Sequence, residues 1–217
     1  MLFSLIRGQL DFQSAITQIL AILIIVFLCL PFHEWAHGIT AYALGDKSIK
    51  YSGRLTVNPI AHIDPFGALC LLLFNFGWAK PVPINTSYFK YPRTYMAITA
   101  IMGPIANIIA ALVGGFVLRV LLLIFGTTLS QYVLMFFAYY IQINCFLAAF
   151  NIIPIPPLDG SKVLFSFLPE KWLMYIGQFS RYFFIIIYLL LFTGILSVPI
   201  NFISNGLIKF VALVTGI

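Results

Sequence analysis

Four stretches of this chain are too long and too apolar to be surface elements of a water-soluble domain. They run from about Gln13 to Leu44, Thr94 to Phe125, Gln131 to Ile153 and Tyr182 to Ile217. Each exceeds the roughly 20 residues that a helix needs to span a bilayer. The last is long enough for two passes, with the break expected at Pro199 and Asn201. Only 8% of the 217 residues are charged, against about 25% in soluble domains. So little polar surface cannot cover a soluble fold, and an integral membrane protein is expected. One membrane-embedded domain over residues 1–217 accounts for the length, with a core over about 13–170 and C-terminal helices over about 171–217.

The segments between the long runs have their own character. SIKYSGRLTV, within residues 45–65, has the β-branched content and polar interruptions of short strands. FGALCLLLFNFGWA, residues 66–79, is apolar but too short to span, and reads as re-entrant or surface-lying. The expected fold is therefore an all-α polytopic membrane protein. It is a bundle of about four to six transmembrane segments with a small membrane-associated β-hairpin or sheet and a re-entrant segment. Arg7 before an apolar run resembles a signal peptide, but no clean small-residue cleavage site follows, so a retained helix is expected.

The net charge of +6 is scattered singly, which excludes a nucleic-acid patch and reads instead as a topology code. Lys47, Lys50, Arg54, Lys80, Lys90 and Arg93 lie between the first and second long segments. Lys162, Lys171 and Arg181 lie between the third and the last. The positive-inside rule then places residues 45–93 and 154–181 in the cytosol. Arg7 and Arg119 fall on the other side, and Lys209 fits the scheme less well. Cys29, Cys70 and Cys145 form no CxxC and read as buried free thiols. The small residues Ala106, Ala110 and Gly114, with Gly103 just before, form a stripe that lets helices approach closely.

Against this apolar background stands LPFHEWAHG, residues 30–38. Positions i and i+4 share a helix face, so His33 and His37 can hold one metal ion. Glu34 is offset by one residue and can reach a water at that ion without being a ligand. HExxH is a zinc-protease signature for this reason. With three His and two Glu in the chain, a chance match has a probability of roughly four in ten thousand. Ionisable groups at membrane depth are costly and usually functional.

A catalytic zinc takes three protein ligands and a water. Asp11 lies on the wrong side of the membrane, Asp46 follows a helix break, and Glu170 sits in a surface turn. Asp159, in NIIPIPPLDG (residues 151–160), is the best candidate. Three prolines in four positions forbid a regular helix there, and irregular backbone beside a span is tolerated where it lines a cavity. Asn151 ends the third helix just before the break. Its amide either binds a substrate backbone or caps the helix.

HEWAHG together with NIIPIPPLDG resembles the site-2 proteases, the intramembrane zinc metalloproteases. GRLTVNPIAHIDPFG, GWAKPVPIN and GPIAN are similar to the short, domainless branch of that family. The resemblance covers about residues 25–170. It implies one Zn2+ ion held by His33, His37 and Asp159, with Glu34 as general base. It also implies hydrolysis of peptide bonds within transmembrane segments of other proteins, such as membrane-tethered regulators or remnant signal peptides. The expected location is a prokaryotic cell membrane, with several passes and lipid contact, and the Lys and Arg placement puts the active site near the cytosolic side. The implied enzyme is a zinc metalloendopeptidase.

Further polar residues carry weaker readings. His62 and Asp64 are either a second metal pair or, the favoured reading, turn chemistry before Pro65. Asn75 and Asn107 lie in apolar surroundings, and Asn107 either lines the active-site cavity or bonds a neighbouring helix. The segments at 47–58 and 81–83 offer edges on which an unwound substrate could pair. The rival function is a membrane zinc-binding or transport protein without proteolytic activity. A transporter needs ligands along a path, whereas these concentrate at one depth, and transport gives no reason for Glu34.

Overall fold

The protein was analysed as a computed structural model, which describes residues 16, 19–21, 23–74 and 79–217, with side chains apart from those of 71–74, 174–181, 184 and 188. Arg7, Asp11, Gln13 and Asn75 lie outside the described residues.

The described chain is predominantly helical. A π-turn, Ile25–Cys29, leads into α1, Leu30–Ala43. Pro31 has no N–H to donate and its ring crowds the carbonyl four residues back. The wider turn accommodates it, with Leu30 N–H bonding Ile25 O, five residues back. Three short helices follow: α2, Ser48–Tyr51, α3, Pro59–His62, and α4, Pro65–Phe74. Then come α5, Pro92–Phe125, α6, Gln131–Ile152, α7, Asp159–Phe167, α8, Glu170–Phe192, and α9, Ser197–Thr215.

Among the described residues, four helical stretches are long and apolar enough to cross a membrane: Ile19–Ala43, Pro92–Thr128, Gln131–Ile152 and Ser197–Thr215. Their outer faces carry exposed Val113, Val120, Leu123, Ile124, Phe202 and Leu213, as lipid-facing surfaces do. This is a membrane protein.

Helix α5 is the hub and packs against α1, α6, α7 and α9. Its small residues permit the approach. A methyl at Gly114 would lie 2.7 Å from the Tyr140 ring of α6, and one at Gly115 2.8 Å from Thr215 of α9. The small-residue stripe is thus a packing surface, as its spacing indicates.

Two expectations are corrected. The β-hairpin at 47–58 is not formed, and no strand occurs among the described residues. Ser48 instead starts a helical turn because Asp46 Oδ1 accepts both its N–H, at 3.1 Å, and its hydroxyl. Asn58 Oδ1 caps α3 by accepting Ile60 N–H, and Pro59 suits its first turn. The β-branched Ile49 packs with Ala41, Val82 and Phe89 rather than in a strand. The break in the last apolar stretch falls at Thr193–Leu196, not at Pro199 and Asn201. Gly194, at φ +76°, turns the chain there, while Pro199 sits in the first turn of α9, where a missing N–H costs no helical bond.

Candidate metal centre

The i, i+4 spacing on α1 brings the imidazoles of His33 and His37 together, with their Nε2 atoms 3.0 Å apart. Asp159 Oδ2 lies 3.1 Å from His33 Nε2 and 3.0 Å from His37 Nε2. All three residues are buried. Asp159 arrives from more than a hundred residues away because the chain leaves α6 at Ile152, passes the prolines and restarts a helix at Asp159 itself. Gly160 permits this: a methyl there would run into the carbonyl of Ile152 and lie 2.7 Å from that of Ile153.

The second nitrogen of each imidazole is fixed. His37 Nδ1–H donates to the carbonyl of Thr99 at 2.7 Å, and His33 Nδ1–H donates to Asn107 Oδ1 at 2.8 Å. A carbonyl only accepts, so His37 carries its proton on Nδ1 and turns a lone pair on Nε2 inward. Two such nitrogens and a carboxylate oxygen converge, and only a cation stabilises them together. A tetrahedral ion with bonds of about 2.0 Å separates its ligands by about 3.3 Å, close to the spacing here. The donor set therefore fits zinc, and the partners of the imidazoles are those that orient metal-bound histidines.

Burial alone would raise the Asp159 carboxyl. Hydrogen bonds from His33 and His37, whose protons on the facing nitrogens a bound ion would replace, the positive charge of His37 and the ammonium of Lys162 outweigh burial and hold it well below the usual carboxylate range. It is ionised at neutral pH, as a ligand must be.

Glu34 is half-buried, and its Oε2 accepts the backbone N–H of Val82 at 3.0 Å. Val82 belongs to a non-helical segment, residues 79–85, that packs beside α1. That segment is tied at Lys80 N–H to His62 O, at 2.8 Å, and at Asn85 N–H to Asp46 Oδ2, at 2.7 Å. Pro81 and Pro83 have no N–H. Residues 80–83 thus hold no free backbone N–H, and pairing with a substrate there is left to their carbonyls.

Asn151 Nδ2 donates to Leu147 O at 3.0 Å, one turn back in α6. His62 is buried and apart from the cluster, with Nε2–H donating to Thr56 O at 2.8 Å. Asp64 Oδ1 accepts Phe66 and Gly67 N–H at 2.9 Å each, the turn chemistry favoured for it.

Several residues of the site escaped sequence reasoning. Gly103 reads as helix packing, yet a methyl there would lie 2.5 Å from Cε1 of both histidines. Thr99 acts through its backbone, which no side-chain pattern reveals. Lys162 reads as a topology charge, yet its ammonium lies 2.7 Å from Asp159 Oδ1. Its i, i+3 spacing from Asp159 was the available signal.

Residues 113–193 match the family described as Peptidase family M50. A Bacillus subtilis protein provisionally named zinc metalloprotease YwhC is 38% identical over 179 residues, covering 79% of this chain and 80% of that one. A Mycolicibacterium smegmatis protein provisionally named zinc metalloprotease Rip2 is 26% identical over 187 residues, covering 78% of this chain and 65% of that one. No solved structure matches the chain at a significant level. With so similar a relative over about four-fifths of both sequences, the chain belongs to peptidase family M50, the family of the site-2 proteases.

Proposed function

We propose that this zinc metalloprotease cuts membrane-embedded segments of other proteins at the site formed by His33, His37, Asp159 and Glu34. The convergence of two imidazole nitrogens and one carboxylate oxygen within 3.1 Å of one another, with Glu34 on the same helix, carries this reading. His33, His37 and Asp159 bind one zinc ion, which when bound lowers the pKa of a water to about 7 and polarises the scissile carbonyl. Glu34 takes the proton from the attacking water and returns it to the leaving amine. Val82 N–H holds Oε2 of that carboxylate, leaving Oε1 for the water. Asn107 and Thr99 keep the imidazoles turned inward.

The chain crosses the membrane several times as one domain, and the site opens toward the cytosol, whence water comes. The clustering of Lys and Arg between the first and second long segments and after the third supports this orientation. A substrate helix must unwind before its bonds are accessible. Asn151 contacts the unwound backbone through its amide, of which one Nδ2 hydrogen already bonds Leu147 O. Membrane-tethered regulators and remnant signal peptides have the required chemistry. The transport reading is weaker. Among the described residues the potential ligands form one group, not a path.

The test is zinc content and cleavage in purified protein. The parent should bind one zinc per chain and cleave a transmembrane substrate, and Asp159→Ala should lose both. A parent that binds zinc but cleaves no membrane substrate, while moving zinc across a vesicle wall, would support transport instead.

A further inference from the structure

The two oxygens of the Asp159 carboxylate face different partners. Oδ2 meets the imidazoles, and Oδ1 meets the Lys162 ammonium at 2.7 Å, three residues on along α7. We propose that Lys162 is a positioning residue of the metal centre, holding Oδ1 so that Asp159 offers the ion a single oxygen and one coordination position stays open. The inference rests on the metal-site reading given above.

Carboxylates bind metal ions through one oxygen or through both. A catalytic zinc needs a position left over for water. A carboxylate with both oxygens available would swing the second onto the ion and fill that position. Lys162 prevents the swing with a charge-assisted hydrogen bond, stronger than a neutral one. It also draws electron density from the carboxylate, which leaves the ion more electron-poor. Among the described residues, no other side chain bonds Oδ1. Arg93, the neighbouring cation, instead donates to Leu168 O and pairs loosely with Glu170 at 3.8 Å.

The surroundings of Lys162 make the role separable from folding. Its side chain is 34% exposed, against 8% for Asp159. It lines a cavity of about 250 Å³ together with Thr86, Met96 and Phe165. Replacing it therefore alters a space that already exists rather than opening a sealed hole in the core.

The test uses the full chain in detergent, loaded with Co2+ as a spectroscopic probe and titrated with Zn2+ against a chelator. Lys162→Met should bind zinc several-fold more tightly than the parent, because the freed Oδ1 adds a bond to the ion and a neighbouring positive charge is gone. Its cobalt bands in the visible should lose intensity as coordination rises from four to five. Lys162→Arg should restore both. A Lys162→Met protein with the parent's cobalt spectrum and zinc affinity would overturn the proposal. So would a Lys162→Arg protein that fails to restore either at unchanged thermal stability, because the change would then lie in packing. Asp159→Ala separates the two levels of inference. If the parent binds cobalt and Asp159→Ala does not, a silent Lys162→Met sinks only the positioning role. If the parent binds no cobalt, the metal centre fails and Lys162 with it.

Discussion

Glu34 Oε2 accepts a hydrogen bond from the backbone N–H of Val82 at 3.0 Å, across 48 positions of sequence. The donor is an amide flanked by two prolines on a segment anchored at both ends, so the carboxylate is aimed by backbone rather than by a mobile side chain. Val82→Pro deletes that donor, whereas Val82→Ala keeps it and loses only apolar packing with Ala41 and Ile49. A hydrogen bond to a charged group contributes about 1.5–3 kcal/mol. Single-turnover cleavage should therefore fall at least about tenfold further in Val82→Pro than in Val82→Ala, at equal zinc content.

Asn107 fixes the His33 ring through its Oδ1 at 2.8 Å. Asn107→Ala leaves a buried N–H without an acceptor and frees the ring to turn. Zinc affinity should drop about 10- to 100-fold, as measured by chelator competition.

Gly103 is the space that the two imidazoles occupy. Gly103→Ala places a methyl 2.5 Å from Cε1 of both His33 and His37, and both rings are held from behind by Asn107 and Thr99. The rings cannot retreat without breaking those bonds. Zinc binding should be lost in this variant, with the membrane helices retained by circular dichroism.

The His33–His37 pair was readable in the sequence because its spacing is local, and the structure brings Asp159 to it from a distant segment. His33 and His37 share one helix face, and Asp159 stood out as an acid that follows a proline break in a chain with few other acids. The spanning helices were readable from length and hydropathy, and α5 and α6 fall within two residues of their expected limits. The region from 45 to 65 was misread because its β-branched residues serve tertiary packing. Asp46 accepts hydrogen bonds from Ser48 and Asn58 caps a helical turn there, and such local side-chain bonds leave no periodicity. Gly103, Thr99 and Val82 stayed hidden for a related reason. Each acts through an absent side chain or a backbone atom, on a residue distant in sequence.

Gly160 connects fold to site. Gly160→Ala drives a methyl into the carbonyls of Ile152 and Ile153, which are backbone and cannot rotate away. Forcing an extra carbon into a filled site costs about 1–3 kcal/mol. The melting temperature should fall, and zinc content with it, because Asp159 is the adjacent residue.

The central claim is that Glu34 moves the proton while His33, His37 and Asp159 hold the ion. The most direct measurement is zinc content and cleavage of a transmembrane substrate by purified Glu34→Gln. The account expects one zinc per chain, as in the parent, and cleavage reduced by about 10²- to 10⁴-fold, the range for losing a general base. Cleavage at the parent's rate in a zinc-loaded Glu34→Gln protein would contradict it.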